Sequence, residues 1–350
     1  MQLKEPDAFL ISSHHSIVYL TGFDHFQVSE REAYLFIVGD KKYIITDSRY
    51  SEAVSEHIKD FELIEVASNL PHHLVIQNLI DKHQVETLGI EEDNLTVKEF
   101  SRIHQYVKTV HHSPARGIKS SEEVTKIQKA CQLGDKTFEY MLTIIKPGKS
   151  EIELAWEMEK YVRDQRATFS FHPIIAFNEH AAMPHHKNTS DELQETSSQL
   201  ILMDFGVKVE NYCSDMTRVV FLGQASQEQK KVYHSVLESH QKAAEFLAAQ
   251  LKSNKKVRGK EVDRVAREHI KSKGFASYGH GLGHGIGLEV HEAPRLSINS
   301  EDELKSGMVF SIEPGIYLPG KFGVRIEDLY WVNGKELIQL TTSSKKIIQL

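Results

Sequence analysis

The chain has 350 residues, 40% of them hydrophobic and 26% charged, with a formal net charge of −7. That length allows two domains or one large one with a real core, and the composition is that of an ordinary soluble globular protein. The acidic balance argues against a nucleic-acid partner, which wants a basic face, and no apolar run approaches the roughly 18 residues of a membrane span.

In chain order, Met1-Gln2-Leu3-Lys4-Glu5-Pro6 lacks the apolar core of a signal peptide. Residues 1 to about 110 read as a mixed α/β unit. Ala8–Ile11, Ala33–Val38 and Tyr43–Thr46 are strand-like, the last two joined by a hairpin loop over Gly39-Asp40-Lys41-Lys42. Helical spacing runs from Leu70 to His83 and from Val97 to Val107, the second opening on the capping box Thr96-Val97-Lys98-Glu99. Asp47-Ser48-Arg49-Tyr50 reads as a strand end entering a capped helix, and no catalytic constellation stands out. The polar, Pro- and Gly-broken stretch His111–Gly117 marks a boundary, giving domains 1–117 and 118–350.

Beyond it, capping boxes at Ser120–Glu123 and Ser150–Glu153 open helices running to about Ile145 and Arg166. Further helices span Ser226 to about Leu251 and Lys260 to Lys273, the last stopped by Gly274. Strand candidates carrying charged residues lie between and after them. This is an α+β layout, helices covering an antiparallel sheet. Cys131 and Cys213 form no metal or redox spacing and read as free thiols of a reducing compartment, with a cytoplasmic location expected.

Two hairpins carry facing acids. About the turn Pro319-Gly320, Glu313 and Glu327 are equidistant; about a turn near Val209 and Glu210, Asp204 faces Asp215. Like charges directly opposite destabilise a sheet, so each pair makes sense with a cation between its members. Taken singly, each acid reads as solvent-facing; two symmetric pairs, given these turn positions, weigh against that reading. A third stretch, Gly279 to Glu292, has Gly at alternate positions, which in a strand puts His280, Leu282 and His284 on the other face. Glycines there mark close approach of something, and the order matches no phosphate-binding loop. Asp204, Asp215, Glu313 and Glu327 with one or two histidines suit hard or borderline ions, Mn²⁺ first and Co²⁺ second. Four carboxylates are neutralised by two divalent ions, and paired ions ~3.5–4 Å apart make a bridging water nucleophilic near neutral pH.

The ordered motifs Asp204-Phe205-Gly206, Asn211–Arg218, Gly279–Glu292, Ile312–Tyr317 and Val324–Asp328 resemble those of the pita-bread metallopeptidases. That family includes Xaa-Pro dipeptidases (prolidases), Xaa-Pro aminopeptidases (aminopeptidase P), methionine aminopeptidases and creatinases. The resemblance implies a pita-bread (creatinase/aminopeptidase) catalytic domain preceded by a smaller creatinase-like α/β domain. It implies that Asp204, Asp215, His284, Glu313 and Glu327 ligate two metal ions, with Asp215 and Glu327 bridging and Glu313 shuttling a proton from the bridging water. It also implies that His291 touches the scissile carbonyl, that His185 is the substrate-side histidine, and that His280 lines the pocket. Arg325 and Tyr317 are implied to orient Asp204. Where relatives often have Ser-Gly before an asparagine, this chain has Ala176-Phe177-Asn178.

The resemblance further implies a small peptide substrate with proline second, and a homodimer. The creatinase-like domain argues against a methionine aminopeptidase, and the intact metal set against a creatinase or a catalytically silent binding module. Arg295, just past His291, is a candidate clamp for a dipeptide's free carboxylate. Xaa-Pro dipeptidase is the expected activity, with aminopeptidase P on longer peptides as the alternative.

Overall fold

The computed structural model of the protein describes residues 5–111, 116–195 and 198–350, and the chain divides into two units, Met1–Ala115 and Arg116–Leu350. The boundary stretch read at 111–117 falls largely on residues 112–115, outside the described residues, as do residues 1–4 at the amino terminus.

The first unit contains β1 (Ala8–Ile11), α1 (His14–Thr21), β2 (Ala33–Val38), β3 (Lys41–Asp47), α2 (Ser51–His57), β4 (Glu62–Val66), α3 (His72–His83), β5 (Thr87–Ile90), α4 (Val97–His104) and β6 (Lys108–His111). They form a six-stranded mixed sheet of order β4-β3-β2-β1-β5-β6. Alternation places Tyr43 and Ile45 against Val75 and Ile76 of α3, and Ile44 on the other face against Ile17 and Val54. The hairpin loop is shorter than its sequence suggests. Val38 pairs with Lys41, leaving only Gly39 and Asp40 in the turn, with Gly39 at φ 54. The predicted cap after Asp47 is absent: α2 starts after Tyr50 with no side-chain cap, and Asp47 instead accepts from Arg49.

The second unit contains α5 (Ser121–Ile144), α6 (Glu151–Asp164), β7 (Thr168–Phe169), β8 (Ile174–Phe177), β9 (Gln199–Phe205), β10 (Val207–Val209), β11 (Tyr212–Cys213), β12 (Met216–Leu222), α7 (Gln227–Lys252) and α8 (Gly259–Ser272). It continues with β13 (Gly283–Gly285), β14 (Glu292–Leu296), β15 (Val309–Ile312), β16 (Gly315–Leu318), β17 (Phe322–Arg325), β18 (Asp328–Asn333) and β19 (Glu336–Gln339). The capping boxes at Ser120 and Ser150 are formed, and the structure adds one at Ser226 that opens α7. The antiparallel strands fall into ladders β8-β9-β12, β14-β13-β15-β18-β19, β7-β10-β11 and the hairpin β16-β17. Strand β9 is buried on both faces: Leu200 and Leu202 join the core formed with α7 and α8, while Ile201, Met203 and Phe205 pack with Phe138, Leu154 and Met158 of α5 and α6. Cys131 and Cys213 are free and buried. Among the described residues no helix is long and apolar enough to cross a membrane.

Candidate metal centre

Strand alternation delivers the acids. Asp204 continues the Leu200–Leu202 face of β9, and Asp215 and Thr217 continue the Val219–Phe221 face of β12, so the apolar side of this ladder becomes acidic at one end. The facing partner of Asp204, however, is Thr217 rather than Asp215. The turn lies one residue later than its sequence suggests, at Glu210 and Asn211, both at positive φ (49° and 69°), a two-residue geometry that Asn accommodates. The pairing moves by two residues, an even shift, and so both aspartates keep the same face.

The second pair is where the turn count places it. Ladder β15–β18 ends at Ile312 opposite Asp328, and β16–β17 begins at Gly315 opposite Arg325. Glu313 and Glu327 lie level in the gap between these ladders, each beside a core isoleucine, Ile312 or Ile326. The Gly-His stretch is only partly a strand: Gly283–Gly285 alone forms β13. Its glycines do mark close approach, since a Cβ on Gly283 would run into the carbonyl of Ser311 and one on Gly285 into that of Ala293. The extended conformation stops after Gly285 because the pairing with β14 shifts register between His284 and Gly285.

These elements converge on a cavity of about 690 Å³ whose walls include His185, Asp204, Asp215, His280, His284, His291, Arg295, Glu313, Arg325 and Glu327. His284 Nε2 lies 3.3 Å from Glu313 Oε1 and 3.7 Å from Asp215 Oδ2. Single ligand atoms of Asp215, His284 and Glu327 lie within 4.8 Å of one another. Burial, reinforced by neighbouring carboxylates, pushes Asp215 and Glu313 well above the usual carboxylate range and Glu327 to about 7. Asp204 rises by burial too, opposed by Arg325. Burial and His291 bring His284 down to about 4, so its carboxylate contacts are not ion pairs at neutral pH.

The site therefore has the donors that a cation requires. Asp215 Oδ1 is buried without a hydrogen-bond partner. His284 Nδ1 faces the carbonyl of Gly285 at 3.2 Å, which assigns the proton there and aims the Nε2 lone pair at the acids. An oxygen-rich set with one imidazole fits divalent ions of hard or borderline character.

Around these donors, Arg325 is buried and donates to Asp204, to Thr217 Oγ1 at 2.9 Å and to the Tyr317 hydroxyl at 3.0 Å. Thr217 donates in turn to Glu327 at 2.7 Å. Tyr317 thus reaches Asp204 only through Arg325, and its hydroxyl also meets His280 Nε2 at 2.9 Å. Burial holds His280 near 4, neutral, with Nδ1 on the Gly281 carbonyl. His291 stands edge-on to His284, ring centroids 4.4 Å apart, at the exposed side of the cavity with His185 and Arg295. The sequence reading passed over Thr217 and Ser311, whose hydroxyl accepts from His284 N–H and donates to Glu313. Thr217 shares a strand face with Asp215, the one signal that could have exposed it. Ser311, two residues before Glu313, gave the same hint.

Residues 125–334 match the model of metallopeptidase family M24, and residues 1–120 match the creatinase/prolidase N-terminal domain. The chain is 37% identical to the uncharacterized peptidase YqhT of Bacillus subtilis, over 98% of this chain and 96% of that one. A solved Xaa-Pro dipeptidase from Bacillus anthracis superposes with a TM-score of 0.86 at 32% identity, covering 99% of this chain and 95% of its own. An X-Pro aminopeptidase from Thermotoga maritima superposes with a TM-score of 0.85 at 33% identity, covering 99% and 98%.

Proposed function

This chain belongs to metallopeptidase family M24, with the two-domain pita-bread architecture, and on that premise we propose that it is an Xaa-Pro dipeptidase working with two divalent ions. The observation that carries the reading is the convergence of Asp204, Asp215, His284, Glu313 and Glu327 in one cavity with a cationic side chain, Arg295, at its exposed wall.

In this reading those five side chains would hold the ions, and the four carboxylates among them favour Mn²⁺. The ions would supply Lewis-acid polarisation and a nucleophilic water near neutral pH. Glu313, which lies on the cavity wall and accepts from the Ser311 hydroxyl, would take a proton from water and deliver it to the leaving proline nitrogen. His291 and His185 face the cavity from separate segments and donate to the oxygen that becomes negative as the carbonyl is attacked. Arg325, through Asp204 and Thr217, keeps the acids in place. Arg295, whose guanidinium has no protein acceptor among the described residues, receives the dipeptide carboxylate.

The relatives include a named dipeptidase and a named aminopeptidase, so aminopeptidase P activity is the second reading. The domain division at 117, a homodimer and a cytoplasmic location belong to the same proposal, the last supported by the two free buried thiols. The test is hydrolysis of Ala-Pro against a longer peptide beginning Ala-Pro, with metal content counted per chain before and after chelation. Arg295→Ala is expected to impair only the dipeptide; equal loss on both, or none, removes the clamp. Peptide hydrolysis that survives Glu313→Gln or full metal removal overturns the mechanism.

A further inference from the structure

The loop that presents His185 is tied to one fully buried carboxylate outside the metal centre. Glu151, in the first turn of α6, has 0% exposure and accepts five hydrogen bonds. Its Oε1 receives Phe177 N–H and His180 Nδ1, each at 2.8 Å. Its Oε2 receives His186 Nε2 and Thr189 N–H at 2.8 Å and the Thr189 hydroxyl at 2.9 Å. The two imidazoles stack with centroids 4.4 Å apart. Backbone bonds from Glu151 N–H to the Asp191 carbonyl and from Ile152 N–H to that of Thr189 add a second attachment to the same helix end.

Between these attachment points the chain turns at His180–Met183 and Met183–His186. Pro184 and His185 then form part of the cavity wall. His185 and His186 are adjacent, so one imidazole is bound inward while its neighbour faces the reaction chamber. A carboxylate deprived of water is costly unless its lone pairs are used, and here they are used by the ends and the middle of one loop.

We infer that Glu151 is the positioning residue of this loop, setting where His185 stands in the cavity. The inference rests on the substrate-side role proposed for His185. Glu151, His180 and His186 are close enough to hold an ion of their own, with ligand atoms within 4.8 Å of one another, but both imidazoles already bond to the Glu151 carboxylate.

Glu151→Gln keeps the size and puts an amide N–H where a lone pair is needed, so donor meets donor at one end of the loop. In the metal-loaded full chain it is expected to lower kcat/KM by on the order of 10²-fold, the cost of a displaced reacting group, with metal content unchanged. The decisive readout is a double-mutant cycle: in a His185→Ala background Glu151→Gln is expected to cost little more, because the group it positions is gone. Thr189→Val, which removes one hydroxyl contact, is the milder variant should Glu151→Gln not fold, with a smaller loss that also vanishes in the His185→Ala background. Additive losses, loss of metal, or a third bound ion per chain in the wild type overturns the inference. A fully active His185→Ala overturns the role of His185 instead; the tether is then judged by amide exchange at Phe177 and Thr189, and unchanged exchange in Glu151→Gln overturns it.

Discussion

Arg325 and Asp204 form a buried pair at the edge of the acidic cluster, and the same guanidinium also donates to Thr217 and Tyr317. Its charge lowers the proton affinity of all four acids, and its three donors point in three directions. A lysine supplies the charge without that fork. Arg325→Lys is therefore expected to weaken metal binding or kcat/KM by about 10–100-fold, the usual cost of disturbing groups that orient ligands. Titration calorimetry with Mn²⁺ checks it, and wild-type affinity in the variant refutes the orienting role.

Metal removal is expected to destabilise the protein, because Asp215, Glu313 and Glu327 are then held away from water near one another, with Asp204 raising the proton affinity of all three and Glu327 that of Asp215 and Glu313. Adding back an ion at ~100 times its dissociation constant stabilises by ~2.7 kcal/mol, and for a unit of this size that raises the melting temperature by about 5–10 °C. A melting curve identical with and without chelator shows that these side chains hold no cation.

Gly283 tests the close backbone approach behind the ligand His284. A Cβ there would strike the Ser311 carbonyl, whereas one on Gly279 meets nothing within 4 Å. Gly283→Ala is expected to cost at least the ~1–3 kcal/mol of an overpacked core, and Gly279→Ala close to nothing. Urea unfolding of the two variants decides, and equal stability contradicts the packing.

In the first unit, Glu99 couples stability to pH. Burial pushes its carboxyl up, but hydrogen bonds from Arg31, the Thr96 backbone and Tyr34 outweigh it and bring it down to about 2. A folded value below the unfolded one means the stabilisation is present above about pH 4.5 and is lost as pH falls towards 2. Glu99→Gln retains a side chain that can close the capping box. The variant is expected to be up to ~1 kcal/mol less stable at neutral pH, after solvent screening, with the gap closing near pH 2. A gap that stays constant across that range removes the electrostatic account.

Sequence alone determined α5 and α6, because the capping boxes at Ser120 and Ser150 and the Pro147-Gly148 breaker between the two helices are local signals read within one turn, whereas the short α1 carries no side-chain cap and goes unread. It also placed Glu313 level with Glu327, since Pro319-Gly320 allows one turn and the register follows by counting. The same counting failed for Asp204, because which of Val209, Glu210 and Asn211 adopts a left-handed backbone is settled by the flanking strands and not by the residues themselves. The branching of Arg325 to Asp204, Thr217 and Tyr317, and the gathering of His180, His186 and Thr189 on Glu151, were decided only by the tertiary structure. Each joins residues distant in sequence or turned towards one another by packing, and a buried charge takes its partners from whatever the fold brings within reach.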